Sequence, residues 1–265
     1  MCSSSRAGAL NVAHWSIRLK GSFELTSKTV LITGANKGIG YETALQLGGF
    51  GYRIWLGCRD DLRGRAAAEK LLNKEYDVRF LQIDVADNNS ARKAAEIVRE
   101  ADGMLDILIN NAGIVGGDLT VPSEEEIGNI RTVYETNVFG PIRVTQAFLP
   151  LLKSAKDTQI VMVSSGLGSL SLVSDPDSRV YPSNILGYNS SKTALNAVTL
   201  AFAKELSPAG IRVNSVDPGY TATDLTGHAG PRTVEEAAAG IVWLVRHEAP
   251  GPTGRFYYKD EQVPW

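Results

Sequence analysis

Cysteine is almost absent: Cys2 and Cys58 are the only two among 265 residues, and neither has metal-ligand spacing around it. A disulfide framework and a structural metal module are thereby excluded, and a reducing compartment, the cytoplasm, is the expected location. Apolar runs of about 18 residues, the length a membrane helix needs, are missing as well. Residues 1–27 also lack the short apolar stretch of a signal peptide. Charge of one sign is not gathered anywhere: Lys and Arg total 27 against 29 Asp and Glu, a net charge of −2. That balance argues against general affinity for nucleic acid or an anionic membrane and leaves small molecules as the expected partners.

What the chain does have is an ordinary globular composition, 43% hydrophobic and 21% charged, with 26 glycines. From Lys28 onward, short β-branched runs alternate with longer amphipathic segments. TVLIT (29–33), YRIWLG (52–57), VRFLQI (78–83), DILIN (106–110), QIVMVSS (159–165), IRVNSV (211–216) and GRFYY (254–258) read as strands. Helices are expected near 38–50, 61–75, 89–102, 123–136, 138–154, 188–207 and 233–247. Apolar strands alternating with helices predict a parallel sheet of about seven strands covered on both faces. With right-handed crossovers this is a single-domain α/β fold of the doubly wound Rossmann type, spanning 28–265. Ligands of such sheets bind beyond the carboxyl ends of the strands, where strand order reverses. Residues 166–187 and 220–232 are irregular and long enough to be substrate loops. For the N-terminal extension, 1–27, three readings stay open: a disordered tail, a strand packed on the body, or a segment added in production.

TGANKGIG (33–40) joins the first strand to its helix. Gly34, Gly38 and Gly40 do not follow the GxGxxG of most dinucleotide binders, but the mechanics carry over. Glycine permits a tight turn and a close backbone approach, and the helix N-terminus offers free N–H groups to a pyrophosphate. After the second strand, where an acidic residue would meet a free ribose 2′-hydroxyl, stand Cys58 and Arg59. Arg59 and Lys37 together could hold a 2′-phosphate by charge-assisted hydrogen bonds. The competing reading makes both of them solvated surface cations and Asp60 a helix cap.

In the long helix that begins YNSSK, Tyr188, Lys192, Leu195, Thr199 and Phe202 fall on one stripe. A lysine is therefore aimed at the core one turn from a tyrosine, a placement lysine tolerates only with partners. Five motifs now stand in order: TGANKGIG, NNAG (110–113), Asn137 with Ser165, the YxxxK of Tyr188 and Lys192, and DPGYTAT (217–223). Over roughly 28–258 this pattern resembles the short-chain dehydrogenase/reductase family, in particular its carbonyl-reductase branch.

The resemblance implies an NADP(H) cofactor. Gly34, Asn36, Lys37, Gly38, Ile39 and Gly40 match the family's phosphate turn, and Lys37 and Arg59 match the cations that accompany a preference for NADP(H). Asp84 and Val85 match residues at the adenine, and Asn111, Ala112 and Gly113 those along the ribose. Pro218, Gly219, Thr221 and Thr223 match the segment at the nicotinamide carboxamide and phosphates. Asn137, Ser165, Tyr188 and Lys192 match the catalytic set, the last two also touching cofactor.

Hydride transfer to a carbonyl leaves an alkoxide that must gain a proton, and Tyr188 is the expected donor. A free tyrosine titrates near pH 10, so poising it near 7 requires about 4 kcal/mol of phenolate stabilisation. Lys192, one turn away, and the positive nicotinamide ring are the expected sources, with Lys192 also holding ribose hydroxyls. Ser165 is expected to donate to the substrate oxygen, its neighbour Ser164 facing the other side of the strand. Asn137 shares an inward face with Ile130 and Val133, where a buried amide must find partners. The resemblance implies a water and the lysine, linked in a proton relay.

Ser165 and Tyr188 stand 23 positions apart, longer than the family's usual spacing by about ten residues, so the segment between them carries an insertion. Leu167, Leu170, Leu172, Val173 and Ile185 either line an apolar substrate pocket or anchor the loop. His228 is expected to touch solvent or substrate and not to catalyse. The expected activity is NADPH-dependent reduction of a ketone or aldehyde, reversibly. An oxidative steroid or polyol dehydrogenase, an epimerase and a non-catalytic NADP(H) sensor stay open as alternatives, as does the choice between a monomer and a homo-oligomer.

Overall fold

Among the described residues, seven parallel strands are present, at Thr29–Ile32 (β1), Arg53–Cys58 (β2), Val78–Gln82 (β3), Ile107–Asn110 (β4), Gln159–Val163 (β5), Arg212–Asp217 (β6) and Phe256–Tyr258 (β7). The computed structural model describes residues 28–117, 120–247 and 250–265; the readings for 1–27 lie outside them. An eighth strand, Glu261–Gln262 (β8), pairs antiparallel with β7 and was not foreseen. Two polar residues at a sheet edge carry no apolar pattern from which to read a strand. The order is β3-β2-β1-β4-β5-β6-β7-β8, so the direction of winding reverses between β1 and β4.

Alternation within the strands divides the core into two layers. Val30, Ile32, Leu56, Ile109 and Val161 face helices Gly38–Gly49 (α1), Asp61–Leu72 (α2) and Val234–Val245 (α8). Leu31, Trp55, Leu108, Ile160 and Met162 face the other way, against Asn88–Asp102 (α3), Gly140–Ser154 (α5) and Leu186–Leu206 (α7). The remaining helices, Ile127–Tyr134 (α4) and Leu170–Ser174 (α6), flank the carboxyl side of the sheet. None of the described helices is long and apolar enough to cross a membrane.

Two helices were expected across 123–154, and their junction is a continuous helical path. A π-turn, Glu135–Phe139, links α4 to α5, with the Gly140 N–H reaching back five residues to the Glu135 carbonyl. Pro141 explains the slip: it has no N–H to send four residues back to the Asn137 carbonyl, so the α-ladder cannot continue through that point. The side chain of Asn137 lies in this turn, fully buried.

Polar contacts tie α7 to the preceding loops. Glu125 accepts the Gly187 N–H at 2.9 Å and the Asn129 side-chain N–H at 2.8 Å, while Asn129 accepts from the Gly117 N–H at 2.6 Å. A carboxylate at the start of α7 also suits the helix dipole. The inserted segment is anchored from the other side. Ser169 donates to the Pro264 carbonyl and Ser171 to the Trp265 carbonyl, and the Trp265 ring stacks on Phe256.

Candidate active site

The glycine turn lies at the switch point between β1 and β4, clamped by the segment that leaves β4. Asn111 donates its side-chain N–H to the carbonyls of Thr33 (2.9 Å) and Gly34 (3.2 Å), and the Thr33 hydroxyl accepts the N–H groups of Asn111 and Ala112, each at 3.0 Å. Gly34 has φ +64°, and a Cβ there would stand 2.9 Å from the Ala112 Cα. Conformation and space therefore both require glycine at this position. The Asn111 side chain is committed to bracing this turn, a role its match to a ribose-lining residue did not convey.

Does the turn fit a dinucleotide? Helices α2, α3 and α8 have their first N–H groups capped by Asp60, Asp87 and Thr233. In α1, as in α4, α5 and α7, no side chain caps the first turn: Lys37 holds the capping position with no side-chain hydrogen bond, and the first turn, which includes Ile39, has no acidic residue. Uncapped N–H groups behind a glycine cradle are what a phosphate requires. Thr223 closes the other side, its methyl carbon 3.6 Å from where a Gly38 Cβ would stand.

The two cations proposed for a 2′-phosphate behave differently. Lys37 donates to Asp224 at 2.5 Å across the opening, and Asp224 also bonds the His228 imidazole at 3.0 Å. Arg59 is exposed and its guanidinium has no ion pair among the described residues. Asp60 caps α2 through the Arg63 N–H, as the competing reading expected, and Cys58 points into the core, where burial pushes its thiol up. Asp84 and Val85 follow β3 at the same edge, and the Asp84 carboxylate accepts the Ala86 N–H.

The catalytic candidates meet where β5 ends. Ser164 is buried and donates to the Asn196 side chain on α7 at 2.6 Å, whereas the Ser165 hydroxyl accepts the Leu167 N–H at 3.2 Å and acts on the Tyr188 phenol, favouring its phenolate. Strand alternation thus separates the two serines as expected. Gly168 brings the rest of this segment onto α7: a Cβ there would stand 2.6 Å from the Lys192 carbonyl carbon. On α7, Lys192, Leu195 and Thr199 are buried, so the stripe read from the sequence does face inward.

Lys192 finds a partner that the sequence did not foresee. Its ammonium donates to the Val163 carbonyl, the last residue of β5, at 2.8 Å, and lies 5.6 Å from the centroid of the Tyr188 ring. Burial pulls it down to about 8, with the negative charge of Asp217 acting in the opposite direction. For Tyr188, the expectation of a phenol near 7 includes the charge of the oxidised nicotinamide, and the protein groups by themselves act the other way. Burial pushes it up to about 12; the Ser165 hydrogen bond lowers it, the charge of Asp217 raises it further, and Lys192 is not among the causes. Helical spacing places the ammonium beside the ring, but the strand-end carbonyl takes its hydrogen bond.

Asn137 has protein partners for its side chain. It donates to the Ile114 carbonyl (2.8 Å) and the Ser191 hydroxyl (3.0 Å) and accepts the Ile114 N–H (2.9 Å). A Cβ on Gly113 would stand 3.4 Å from the Asn137 side-chain oxygen and 3.6 Å from the Lys192 ammonium, so β4, the π-turn and α7 converge there. Beyond β6, Pro218 and Gly219 turn away, and the Thr221 hydroxyl donates to the Gly219 carbonyl at 2.9 Å. Among the expected apolar loop residues, Leu170 is 63% exposed and Leu167, Leu172, Val173 and Ile185 are half-buried.

The reading missed Asp217, Arg179, Arg232 and Tyr258. Asp217 is buried at the end of β6 and acts electrostatically on both Tyr188 and Lys192. An aspartate before Pro-Gly reads as turn chemistry, which hid it. No group of three or more His, Cys, Asp or Glu among the described residues is placed to hold a metal.

The short chain dehydrogenase family profile matches residues 28–233. (−)-Isopiperitenone reductase of Mentha piperita is 34% identical, the alignment covering 88% of this chain and 96% of that protein. The short-chain dehydrogenase anuI of Penicillium roqueforti is 37% identical, over 85% and 91%. Among solved structures, the NADPH-bound carbonyl reductase from chicken fatty liver superposes with a TM-score of 0.81 at 29% identity, covering 90% of this chain and 99% of that one. The chain belongs to the short-chain dehydrogenase/reductase family of oxidoreductases.

Proposed function

We propose that the protein is an NADP(H)-dependent reductase of ketones or aldehydes, with 28–265 as its single catalytic unit and 166–187 and 220–232 as its substrate loops. The observation that carries this reading is the meeting of Ser165, Tyr188 and Lys192 at the end of β5, beside an uncapped glycine turn at the switch point. Bound NADPH would supply a hydride to the carbonyl carbon. Gly34, Asn36, Gly38, Ile39 and Gly40 would hold its pyrophosphate, with Asp84 and Val85 at the adenine. Ala112 and Gly113 would line the ribose, and Pro218, Gly219, Thr221 and Thr223 the nicotinamide side.

Within the chain, Ser165 acts on the Tyr188 phenol, and a carbonyl oxygen would sit between these two donors. Tyr188 gives its proton to the oxygen as negative charge develops there. The alkoxide is a much stronger base than phenolate, so the transfer runs downhill even from a phenol pushed up to about 12. The reverse reaction needs phenolate as base, and the positive nicotinamide ring of the oxidised cofactor would favour it. Reduction is supported by relatives named for it, isopiperitenone reductase, salutaridine reductase and an NADPH-bound carbonyl reductase, while two neomenthol dehydrogenases carry the name of the opposite direction.

The direct test is NADPH consumption over a panel of cyclic ketones, aromatic ketones and aldehydes, with the matching alcohols and NADP+ run beside them. Reduction exceeding oxidation at pH 7 is expected. NADPH binding with no turnover of any carbonyl would instead make the protein a sensor. We place the reaction in the cytoplasm.

Cofactor choice rests more on Arg59 than on Lys37, because Lys37 must first leave Asp224 to reach a phosphate. Replacing Arg59 by Leu is expected to raise the KM for NADPH by roughly tenfold and leave that for NADH within about twofold, the loss of one charge-assisted phosphate contact. Lys37→Met should shift the NADPH/NADH ratio less. Steady-state kinetics with both nucleotides decides; equal losses for the two would count against the 2′-phosphate reading.

A further inference from the structure

Tyr188 sits in the first turn of α7, where the backbone N–H groups have no partner within the helix. The local sequence supplies no cap. Ile185, at the capping position, makes no side-chain hydrogen bond, and the first turn has no acidic residue. A proton donor in that place has to be fixed from outside its own helix.

Glu125, 62 positions earlier, does this. One carboxylate oxygen accepts the Gly187 N–H at 2.9 Å, and the other accepts the Asn129 side-chain N–H at 2.8 Å. Asn129 in turn accepts the Gly117 N–H at 2.6 Å, in the segment that leaves β4. The approach is close: a Cβ on Gly187 would stand 2.5 Å from a Glu125 carboxylate oxygen and 3.5 Å from the Ile130 Cα. On the far side of the tyrosine, the Ser191 hydroxyl donates to the Tyr188 carbonyl at 2.7 Å and accepts the Asn137 side-chain N–H at 3.0 Å. The backbone is therefore held immediately before Tyr188 and at its carbonyl, both times by residues between 125 and 137.

We propose that Glu125 is a positioning residue for Tyr188: it caps α7 from a distance and so sets where the phenol stands relative to Ser165. Its negative charge also suits the helix N-terminus. A first turn that shifts by about 1 Å carries the phenol with it, and a displacement of that size is costly for a proton transfer. Lys192, a turn further on, has its own bond to the Val163 carbonyl, and the glycine turn is braced separately by Asn111. Loss of Glu125 therefore falls on the proton donor and spares cofactor binding. This rests on Tyr188 being that donor.

The test measures kcat, the KM for NADPH and the solvent deuterium isotope effect on kcat, for the full chain with the best carbonyl of the panel. Glu125→Ala is expected to lower kcat roughly ten- to a hundredfold with the KM for NADPH within about twofold. The isotope effect should rise as proton transfer becomes the slow step. Glu125→Gln keeps an acceptor for Gly187 and should bring kcat back to within about threefold of wild type. Gly187→Ala reaches the same state from the helix side, because its methyl group displaces the carboxylate, the flexible end of a side chain.

Wild-type kcat in folded Glu125→Ala overturns the proposal, and so does a joint loss of kcat and NADPH affinity, which marks a general loosening. Should that variant not fold, the same two results in Gly187→Ala overturn it. Tyr188→Phe, run in parallel, keeps the two readings apart. Its retained turnover would defeat the Tyr188 assignment, whereas an inactive Tyr188→Phe beside an unchanged Glu125→Ala defeats only the role of Glu125.

Discussion

Tyr188→Phe is expected to lose roughly 10²- to 10⁴-fold in kcat, the range for deleting a positioned proton donor, while binding NADPH within about twofold of wild type. The substitution removes one oxygen. The ring remains on α7, 5.6 Å from the Lys192 ammonium, and Lys192 keeps its bond to the Val163 carbonyl, so the fold has no reason to change. Ser165 loses the phenol as partner but keeps the Leu167 N–H at 3.2 Å. The measurements are kcat on the best carbonyl of the panel and NADPH affinity by fluorescence. Near-normal turnover would remove Tyr188 from the chemistry, and lost NADPH binding would assign it to cofactor binding instead.

The parallel core was legible because buried strands leave apolar runs and their helices leave a 3.6-residue period. Each of the seven expected strands is present, with its ends shifted by a residue or two. The site was legible where a motif falls on a strand end, as with Ser165 after β5 or the glycine turn after β1. Illegible from spacing were the partners that depend on distant segments. Lys192 bonds a strand carbonyl 29 positions away, and Lys37 meets Asp224, 187 positions away. What acts on the phenol was legible only in part: helical spacing supplies the lysine, but burial and a carboxylate from β6 also act on the tyrosine, and neither is visible in YNSSK. The π-turn was missed because its cause, Pro141, looks like an ordinary proline in the first turn of α5.

Asn137 separates a role implied by resemblance from one derived by geometry. A relay residue that merely holds a water could be replaced by Ala with a loss of kcat and an intact fold. Here the fully buried amide satisfies both backbone groups of Ile114 and the Ser191 hydroxyl. Ala at this position leaves the part-buried N–H and C=O of Ile114 without their partner, at a cost of about 1–3 kcal/mol. For a domain of this size, that lowers Tm by about 3–10 °C. Because Ile114 follows Gly113, which packs beside the Lys192 ammonium, loosening this clamp also releases the cofactor-side wall, and the KM for NADPH should rise with the fall in Tm. Thermal unfolding and NADPH kinetics on Asn137→Ala decide between the two accounts. A kcat loss at unchanged Tm would show that the clamp contributes little and return Asn137 to the relay. A joint fall in Tm and NADPH affinity would make the bond to Ile114 the reason an asparagine stands where the helical ladder slips.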